Sequence, residues 1–90
     1  MSLYLAAYDL ASNARRSRVA RVLESYGRRI QDSVFEVWVD PDEIRELRVR
    51  LGVLLHANDS FDLWPVDERG TRRRISWQRT PDDWGSVIEL

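Results

Sequence analysis

The fold is decided by residues 34–47, VFEVWVDPDEIREL, where a strand pattern passes directly into a helix pattern. The first six positions are rich in β-branched and aromatic residues, which predicts a strand. Asp40 then provides an acidic N-cap, Pro41 occupies the first helical position, and Glu43 stands where it closes a capping box. The chain is therefore expected to change from strand to helix at Asp40.

The helix that begins at this cap is predicted from its apolar face. Its apolar side chains recur with helical spacing along one face, and they are Ile44, Leu47, Leu51, Leu54 and Leu55. Gly52 lowers the stability of the helix by about 1 kcal/mol relative to alanine. The last turn is therefore the least well defined part of this helix.

An earlier helix is predicted between residues 12 and 27. Ser12 or Asn13 can cap its start, and Gly27 predicts a left-handed stop at its end. Its apolar stripe consists of Val19, Val22, Leu23 and Tyr26. Before this helix, residues 3–8 form a nearly continuous apolar run, which is typical of a strand buried on both faces. That strand belongs in the middle of a sheet.

The remaining segments complete the predicted order of elements. They are two strands within 30–39 that break near Asp32–Ser33, a strand at 61–66, a hairpin-like loop at 67–71, an edge strand at 72–77 and an apolar segment at 87–90. The order β-α-β-β-α-β with an extra C-terminal strand predicts an α+β fold, a ferredoxin-like sandwich. The domain is expected to span residues 1–80, with a C-terminal tail at residues 81–90.

One face of the predicted sheet has no cover within a single chain, because both helices are expected on the other face. A chain of 90 residues buries only about 60–65% of its unfolded surface. We therefore predict a homodimer with its two sheets packed face to face. Residues 81–90 then either add a strand to the partner's sheet or complete their own. The residues expected to be core or interface anchors are Trp38, Trp64, Trp77 and Trp84.

Composition excludes several classes of function. The chain has no cysteine, which excludes thiolate zinc sites and thiol catalysis. His56 is the only histidine, so one chain cannot form a two-histidine metal site. There is no run of about 18 apolar residues and no pattern typical of a secretory signal. We therefore expect a cytoplasmic protein that does not associate with membranes.

The net charge of −1 conceals two blocks of arginine. Residues 11–29 hold six arginines and one glutamate, and residues 69–79 hold five arginines and no acidic residue. The forked guanidinium of arginine suits bidentate contacts to phosphate. A solvated helix face or a coding bias is the alternative explanation for both blocks. The clustering of the arginines is therefore compatible with nucleic-acid binding, although the net charge of −1 by itself argues against it.

Three segments resemble a known family in their order and spacing. They are YLAAYDL at 4–10, RRSRVARVLESYG at 15–27 and IQDSVFE at 30–36. Together they resemble the small CRISPR-associated adaptation protein, a family also classed as a CRISPR-associated endoribonuclease. This resemblance implies a ferredoxin-like homodimer, an assignment as a magnesium-dependent phosphodiesterase, and a complex with the CRISPR integrase that captures new DNA spacers.

The resemblance also assigns a metal-binding and catalytic residue. Asp9, preceded by Tyr8, matches the family's metal-binding aspartate at the end of the first strand. Magnesium prefers carboxylate oxygens and water as ligands, so the residue type fits. One aspartate supplies too few ligands for a metal site, and a dimer would supply a second Asp9 carboxylate. The structural alternative is that Asp9 caps the next helix through Ser12.

The arginines near this aspartate are assigned to nucleic-acid binding. The set is Arg15, Arg16, Arg18, Arg28 and Arg29. Contacts of this kind bind the phosphate backbone and position the nucleic acid without reading its sequence. Ser33 and Phe35 match the family's Ser-Val-Phe stretch and are expected beside the site. Arg72–Arg74 match no motif of the family, so no role is inherited for them.

These observations give one leading function and several alternatives. The leading hypothesis is a homodimeric scaffold that binds duplex DNA and holds the integrase subunits apart during spacer acquisition. The second is a divalent-metal nuclease with paired Asp9 carboxylates, acting on RNA, including single-stranded RNA, or on DNA. A toxin-like ribonuclease of the same fold and a ferredoxin-like module that binds small molecules are further alternatives. The enzymatic assignment comes from the resemblance alone.

Overall fold

Six elements in the predicted order build the body of the molecule. The computed structural model describes residues 1–73, 75–76 and 88–89. The body consists of β1 (Ser2–Asp9), α1 (Asn13–Glu24), β2 (Gly27–Gln31), β3 (Val34–Val39), α2 (Pro41–Gly52) and β4 (Ser60–Val66). The elements that follow are α3 (Glu68–Arg72), β5 (Ile75–Ser76) and β6 (Ile88–Glu89).

The four long strands form one antiparallel sheet in the order β2-β3-β1-β4. β1 lies inside the sheet, as its apolar run predicts, with Ala6 opposite both Phe35 of β3 and Leu63 of β4. The turn between β2 and β3 falls at Asp32–Ser33, where the break was expected. This strand order with two helices is the ferredoxin-like α+β fold, so the predicted fold class is confirmed.

Both main helices begin at predicted caps. The Ser12 hydroxyl accepts a hydrogen bond from the backbone N–H of Arg15 at 3.2 Å, so Ser12 rather than Asn13 caps α1. At α2 the Asp40 carboxylate accepts from the Glu43 N–H at 2.9 Å, and the Glu43 carboxylate accepts from the Asp40 N–H at 3.0 Å. The predicted capping box is therefore present. No helix among the described residues has the length and hydrophobicity needed to cross a bilayer.

The core lies between the helices and one face of the sheet. Its largest fully buried side chains are Val19 and Leu23 of α1, Leu47 of α2, and Phe35, Val37 and Val39 of β3. Because side chains alternate along a strand, Ala6 and Tyr8 of β1 join this core. Leu3, Leu5 and Ala7 are on the opposite face of the sheet. We call that opposite side the open sheet face.

The prediction that Gly27 ends α1 in a left-handed conformation is wrong. The helix ends at Glu24 with Ser25 as its C-cap in a right-handed conformation, and Gly27 is the first residue of β2. A Cβ atom built on Gly27 would lie 1.9 Å from the backbone oxygen of Glu36. The residue must therefore be glycine because β2 approaches β3 closely at this point.

Exchanging each of two glycines for alanine should change stability in opposite directions. Gly27→Ala is expected to lower the free energy of unfolding by about 1–3 kcal/mol, because the added methyl group meets backbone that must shift. Gly52→Ala is the matched control, since a Cβ at Gly52 meets no atom within 4 Å. It should raise the free energy of unfolding by about 0.5–1 kcal/mol. Urea denaturation measures both, and equal midpoints for the two variants would contradict this account.

The prediction of a hairpin-like loop at residues 67–71 is also wrong, because a short helix, α3, forms there. The Asp67 carboxylate accepts a hydrogen bond from the Gly70 N–H at 2.6 Å, which is the geometry of an N-cap. The Arg73 N–H donates to the Arg69 carbonyl, so the turn extends past the end of α3. The sequence signal was ambiguous because Asp and Gly serve loops and helix ends alike.

The extra C-terminal strand pairs within its own chain. Ile75–Ser76 of the predicted edge strand form β5, and Ile88–Glu89 of the tail form β6 in parallel with it. β5 begins at Ile75, later than the edge strand predicted from residue 72, because Arg72 belongs to α3. The domain boundary predicted between residues 80 and 81, and Trp77 and Trp84, lie outside the described residues. Addition of the tail to a partner's sheet stays a prediction.

Candidate nucleic-acid interface and metal site

A cleft of about 340 Å³ opens at one end of the sheet. It lies where β1 ends, α1 begins and β2 turns into β3. Its lining consists of Tyr8, Asn13, Arg16, Ser17, Arg29, Asp32 and Ser33. Four of the residues assigned to the site by the resemblance thus surround one cavity: Tyr8, Arg16, Arg29 and Ser33. We call this cavity the arginine cleft.

Tyr8 forms the rigid wall of the arginine cleft. Its ring is stacked with Phe35 and with Phe61, each at 6.3 Å between centroids, and only 6% of the residue is exposed. Its hydroxyl donates to the Asp32 carbonyl at 3.3 Å, and its backbone N–H donates to the Ser33 carbonyl at 3.1 Å. Tyr8 therefore ties the β2–β3 turn to β1, which fixes one side of the cleft.

Two arginines enter the cleft from different elements. Arg16 on α1 donates from its guanidinium to the Leu10 carbonyl, which holds the side chain at the cleft. Arg29 on β2 lies with its guanidinium 5.2 Å from the centroid of the Phe35 ring, a cation–π distance. Phe35 is itself fully buried, so its ring is a fixed contact for the Arg29 guanidinium. The pair presents two positive charges to one anionic group or to neighbouring phosphates.

Arg15 is bound to an acidic side chain of the chain itself. Its Nε and Nη2 atoms donate to the two Asp59 carboxylate oxygens at 2.8 and 3.1 Å. Asp59 also accepts a hydrogen bond from the His56 N–H at 2.9 Å. This bidentate pair joins the start of α1 to the loop before β4. No local pattern indicates such a contact, because 44 residues separate its partners. The predicted nucleic-acid contact of Arg15 stays a prediction.

The Arg15–Asp59 pair should make stability sensitive to acid. Hydrogen bonding by Arg15, followed by that of the His56 N–H, lowers the pKa of Asp59 from 3.8 to about 2. Since the folded-state pKa is the lower one, the pair's contribution to stability is present above about pH 4 and is lost as the pH falls toward 2. Asp59→Asn should therefore lower the melting temperature at neutral pH and flatten its fall between these pH values.

The control for this experiment is Asp42→Asn. Asp42 pairs with Arg45 at the surface of α2, where both side chains are mostly exposed. Exposed pairs of this kind contribute little to stability. The melting temperature of Asp42→Asn should therefore follow the wild-type pH profile. An Asp59→Asn profile parallel to the wild type would contradict the role of the pair.

Arg18 and Arg28 lie outside the arginine cleft. Arg18 is exposed on α1. Arg28 points to the open sheet face, where its Nε donates to Glu36 Oε1 at 2.7 Å, and Glu36 is 3% exposed. The five arginines assigned to nucleic-acid binding are therefore distributed over four environments: the arginine cleft, the pair with Asp59, the exposed surface of α1 and the open sheet face. Only Arg16 and Arg29 converge on a common cavity.

The open sheet face carries unusually exposed aromatic residues. Trp38 and Trp64 are 44% and 51% exposed. They are aligned with Leu3 and Leu5 of β1 across the neighbouring strands. Large exposed apolar surfaces on small soluble proteins mark sites of association. This face fits the interface-anchor role that the sequence predicts for these two tryptophans.

Asp9 belongs to the open sheet face and Tyr8 to the core face. The two residues are neighbours at the end of β1, and successive side chains of a strand point to opposite faces. Asp9 is exposed and aligned with Ser60 of β4. The predicted site is therefore divided by the sheet into the arginine cleft on one side and the Asp9 carboxylate on the other.

The described residues supply only part of a magnesium site. No group of three or more His, Cys, Asp or Glu side chains within them could hold a metal ion. Asp9 offers the hard oxygen ligands that magnesium prefers. Asp62, aligned with Ala7, shares the open sheet face and is a carboxylate that the sequence reasoning missed. The donor chemistry fits magnesium as a half-site that needs ligands from elsewhere.

Comparison with known proteins identifies the family. The family model described as CRISPR associated protein Cas2 matches residues 1–74. This chain belongs to the Cas2 family. A relative from Synechocystis sp., named CRISPR-associated endoribonuclease Cas2 3, is 35% identical over 98% of this chain and 99% of its own length. The resemblance found in the sequence is therefore confirmed.

Solved structures give the same result for the fold. The crystal structure of Cas2 from Streptococcus pyogenes at pH 6.5 matches with a TM-score of 0.73 and 29% identity, over 78% of this chain and 92% of that one. A chain from a partial Cas6-RT-Cas1–Cas2 complex matches with a TM-score of 0.67 and 29% identity, over 80% and 86%. This fold is therefore shared with a solved Cas2 structure and with a chain of a complex that contains Cas1 and Cas2.

Proposed function

We propose that this protein is the Cas2 subunit of a CRISPR adaptation complex, a homodimeric scaffold that binds duplex DNA. The observation that carries the proposal is the convergence of Arg16 and Arg29 on the arginine cleft. Two guanidinium groups held against a carbonyl and an aromatic ring form a preorganised site for phosphate. The resemblance to a chain in a Cas1–Cas2 complex supports an integrase subunit as the partner.

The homodimer is proposed to form through the open sheet face. Trp38 and Trp64 lose their exposed apolar area when a second sheet covers them, and tryptophan is among the residues that contribute most at interfaces. Light scattering on the purified protein tests this directly. We expect a mass twice the 10.6 kDa of one chain. A monomer at micromolar concentration would contradict both the scaffold and the shared metal site.

DNA binding is proposed to be independent of sequence. Arg16, Arg18 and Arg29 offer guanidinium groups to the phosphate backbone, and contacts of this kind carry no sequence information. Binding of this type releases counterions, so the affinity should fall steeply with salt. Two copies of the arginine cleft in one dimer would bind two positions along a duplex.

A metal-dependent nuclease is the second candidate function, favoured by the exposed Asp9 on the proposed dimer face. Asp9 of each protomer, with Asp62 beside it, would hold a magnesium ion between the two sheets. When bound, the ion would polarise a phosphate oxygen and lower the pKa of a coordinated water. The carboxylates of this chain would fix the position of the ion. The relative from Synechocystis, named an endoribonuclease, makes RNA the first substrate to test.

Asp9→Asn is expected to reduce magnesium-dependent cleavage by at least about a hundredfold, because the amide cannot replace a charged metal ligand. Labelled single-stranded RNA and duplex DNA should be tested separately, with magnesium and with a chelator. Asp42→Asn, at an exposed carboxylate on α2 outside the proposed metal site, is the control and should leave cleavage unchanged. Cleavage that persists in Asp9→Asn would assign the activity to a contaminating nuclease and contradict this second function.

A further inference from the structure

The outward side of α2 carries a stripe that the fold does not explain. It consists of Arg45, Arg48, Val49, Gly52 and Val53, and we call it the α2 stripe. These positions are spaced three and four residues apart, so they lie on one side of the helix. Val49 and Val53 are 70% and 81% exposed, and the buried side of the same helix is formed by Leu47 and Leu51.

The residue types in the α2 stripe are unfavourable for a helix surface in water. Valine loses side-chain freedom in a helix, and glycine loses more backbone freedom than any other residue. A solvent-exposed helix position is better filled by Ala, Glu, Lys or Arg. Val49 and Gly52 therefore make the isolated helix less stable, and Val49 and the C-cap residue Val53 stay mostly exposed in the folded chain. A ligand that covers them would recover the lost stability.

A shallow, open depression adjoins the α2 stripe. Arg45, Arg48 and Val49 line a shallow depression of about 390 Å³. A Cβ atom at Gly52 would meet no atom within 4 Å, so the helix backbone itself is open to approach there. A side chain from a partner can therefore reach the helix surface between the arginines and the valines.

The α2 stripe is positively charged, and its two arginines are accessible to the carboxylates of a partner. Among the described residues no carboxylate lies within ion-pair distance of Arg48. Arg45 pairs with Asp42, but both side chains are exposed, and such pairs exchange easily. Arg50 does not belong to the stripe, because it donates to the Tyr26 hydroxyl at 3.2 Å. The stripe therefore offers two arginines beside two valines.

We propose that the α2 stripe is a docking surface for an acidic amphipathic helix of a partner protein. Carboxylates of that helix would pair with Arg45 and Arg48, and its apolar side chains would cover Val49 and Val53. Helices recognised in this way present apolar residues at i, i+3, i+4 and i+7. The inference is independent of the proposed function, since it concerns the helix layer rather than the cleft or the open sheet face.

Other occupants fit the α2 stripe less well. A phosphate backbone would bind the arginines but would gain nothing from two exposed valines. A second copy of the chain would bring like charges together, which opposes association. A helix of opposite charge is the occupant that satisfies both the arginines and the valines.

The test uses the full chain and two synthetic peptides of about five helical turns. One peptide carries leucines along one face with flanking glutamates, and the other carries lysines in place of the glutamates. Calorimetry should show binding of the acidic peptide alone. Arg45→Glu/Arg48→Glu and Val49→Ser/Val53→Ser should each weaken it by at least about tenfold. Failure of the acidic peptide to bind, or binding of both peptides alike, would overturn the proposal.

A control variant separates this surface from general charge. Arg21→Glu/Arg69→Glu changes the net charge by the same amount at exposed positions outside the α2 stripe. It should leave the peptide affinity unchanged, and an equal loss would overturn the proposal. Binding of a DNA duplex is measured on the same variants to distinguish a peptide-binding surface from a nucleic-acid contact. If Arg45→Glu/Arg48→Glu weakened DNA binding and the peptide did not bind, the stripe would be a nucleic-acid contact instead. Matching circular dichroism spectra will show that each variant is folded.

Discussion

Reversing the charge of Arg16 and Arg29 together is expected to weaken binding of duplex DNA by at least about a hundredfold at low salt. Each substitution removes a phosphate contact and adds a repulsive carboxylate in its place. Fluorescence anisotropy with a labelled duplex, repeated over a range of salt concentrations, measures the loss. The slope of the logarithm of affinity against the logarithm of salt should fall by about two, one for each phosphate contact removed.

The matched control for this experiment is Arg45→Glu/Arg48→Glu. It makes the same change in net charge on the surface of α2, away from the arginine cleft. The two double variants are compared at physiological salt, where screening confines exposed charges to a range of about 8 Å, so the DNA affinity of this control should change little. An equal loss in both double variants would show that net charge alone governs the affinity. The cleft would then have no special role in DNA binding.

Replacing Trp38 and Trp64 with glutamate should convert the dimer into a monomer. Both side chains are about half exposed in the single chain, on the sheet face proposed as the interface. Losing two tryptophan anchors and burying two carboxylates should weaken association by at least about a hundredfold. Sedimentation velocity over a range of concentrations measures the change. The monomeric variant should also lose any cleavage that depends on two Asp9 carboxylates.

Val49→Glu/Val53→Glu is the control for the tryptophan variant. It also places two glutamates at exposed apolar positions, but on α2 rather than on the open sheet face. The dimer should persist in this variant. A tryptophan variant that remained dimeric would place the interface elsewhere and remove the basis for a shared Asp9 site.

Elements defined by local signals could be predicted from the sequence. The capping box at Asp40 and the hydroxyl cap at Ser12 depend on residues within one helical turn, and the structure contains both. The role of Gly27 could not be predicted, because it depends on how closely the backbone of Glu36 approaches. The prediction of a hairpin-like loop at Asp67 and Gly70 is wrong because these two residue types occur both in hairpin loops and at the ends of helices.

The candidate site was predicted as a set of residues but not as an arrangement in space. The resemblance named Tyr8, Asp9, Arg16 and Arg29, and three of these line the arginine cleft. The placement of Asp9 on the other face follows from strand alternation, so it could have been predicted. The pairing of Arg15 with Asp59 could not, because it joins the start of α1 to a loop 44 residues later that only the folded chain brings close.

The division of the site by β1 has a consequence for how the family can diversify. A mutation at Asp9 changes a side chain that shares no wall with the arginine cleft, and a mutation in the cleft leaves the open sheet face intact. Under the two functions proposed above, selection can act on metal-dependent cleavage and on DNA binding as separate traits. A substitution at Asp9 would then remove the proposed metal ligand and leave the walls of the arginine cleft unchanged.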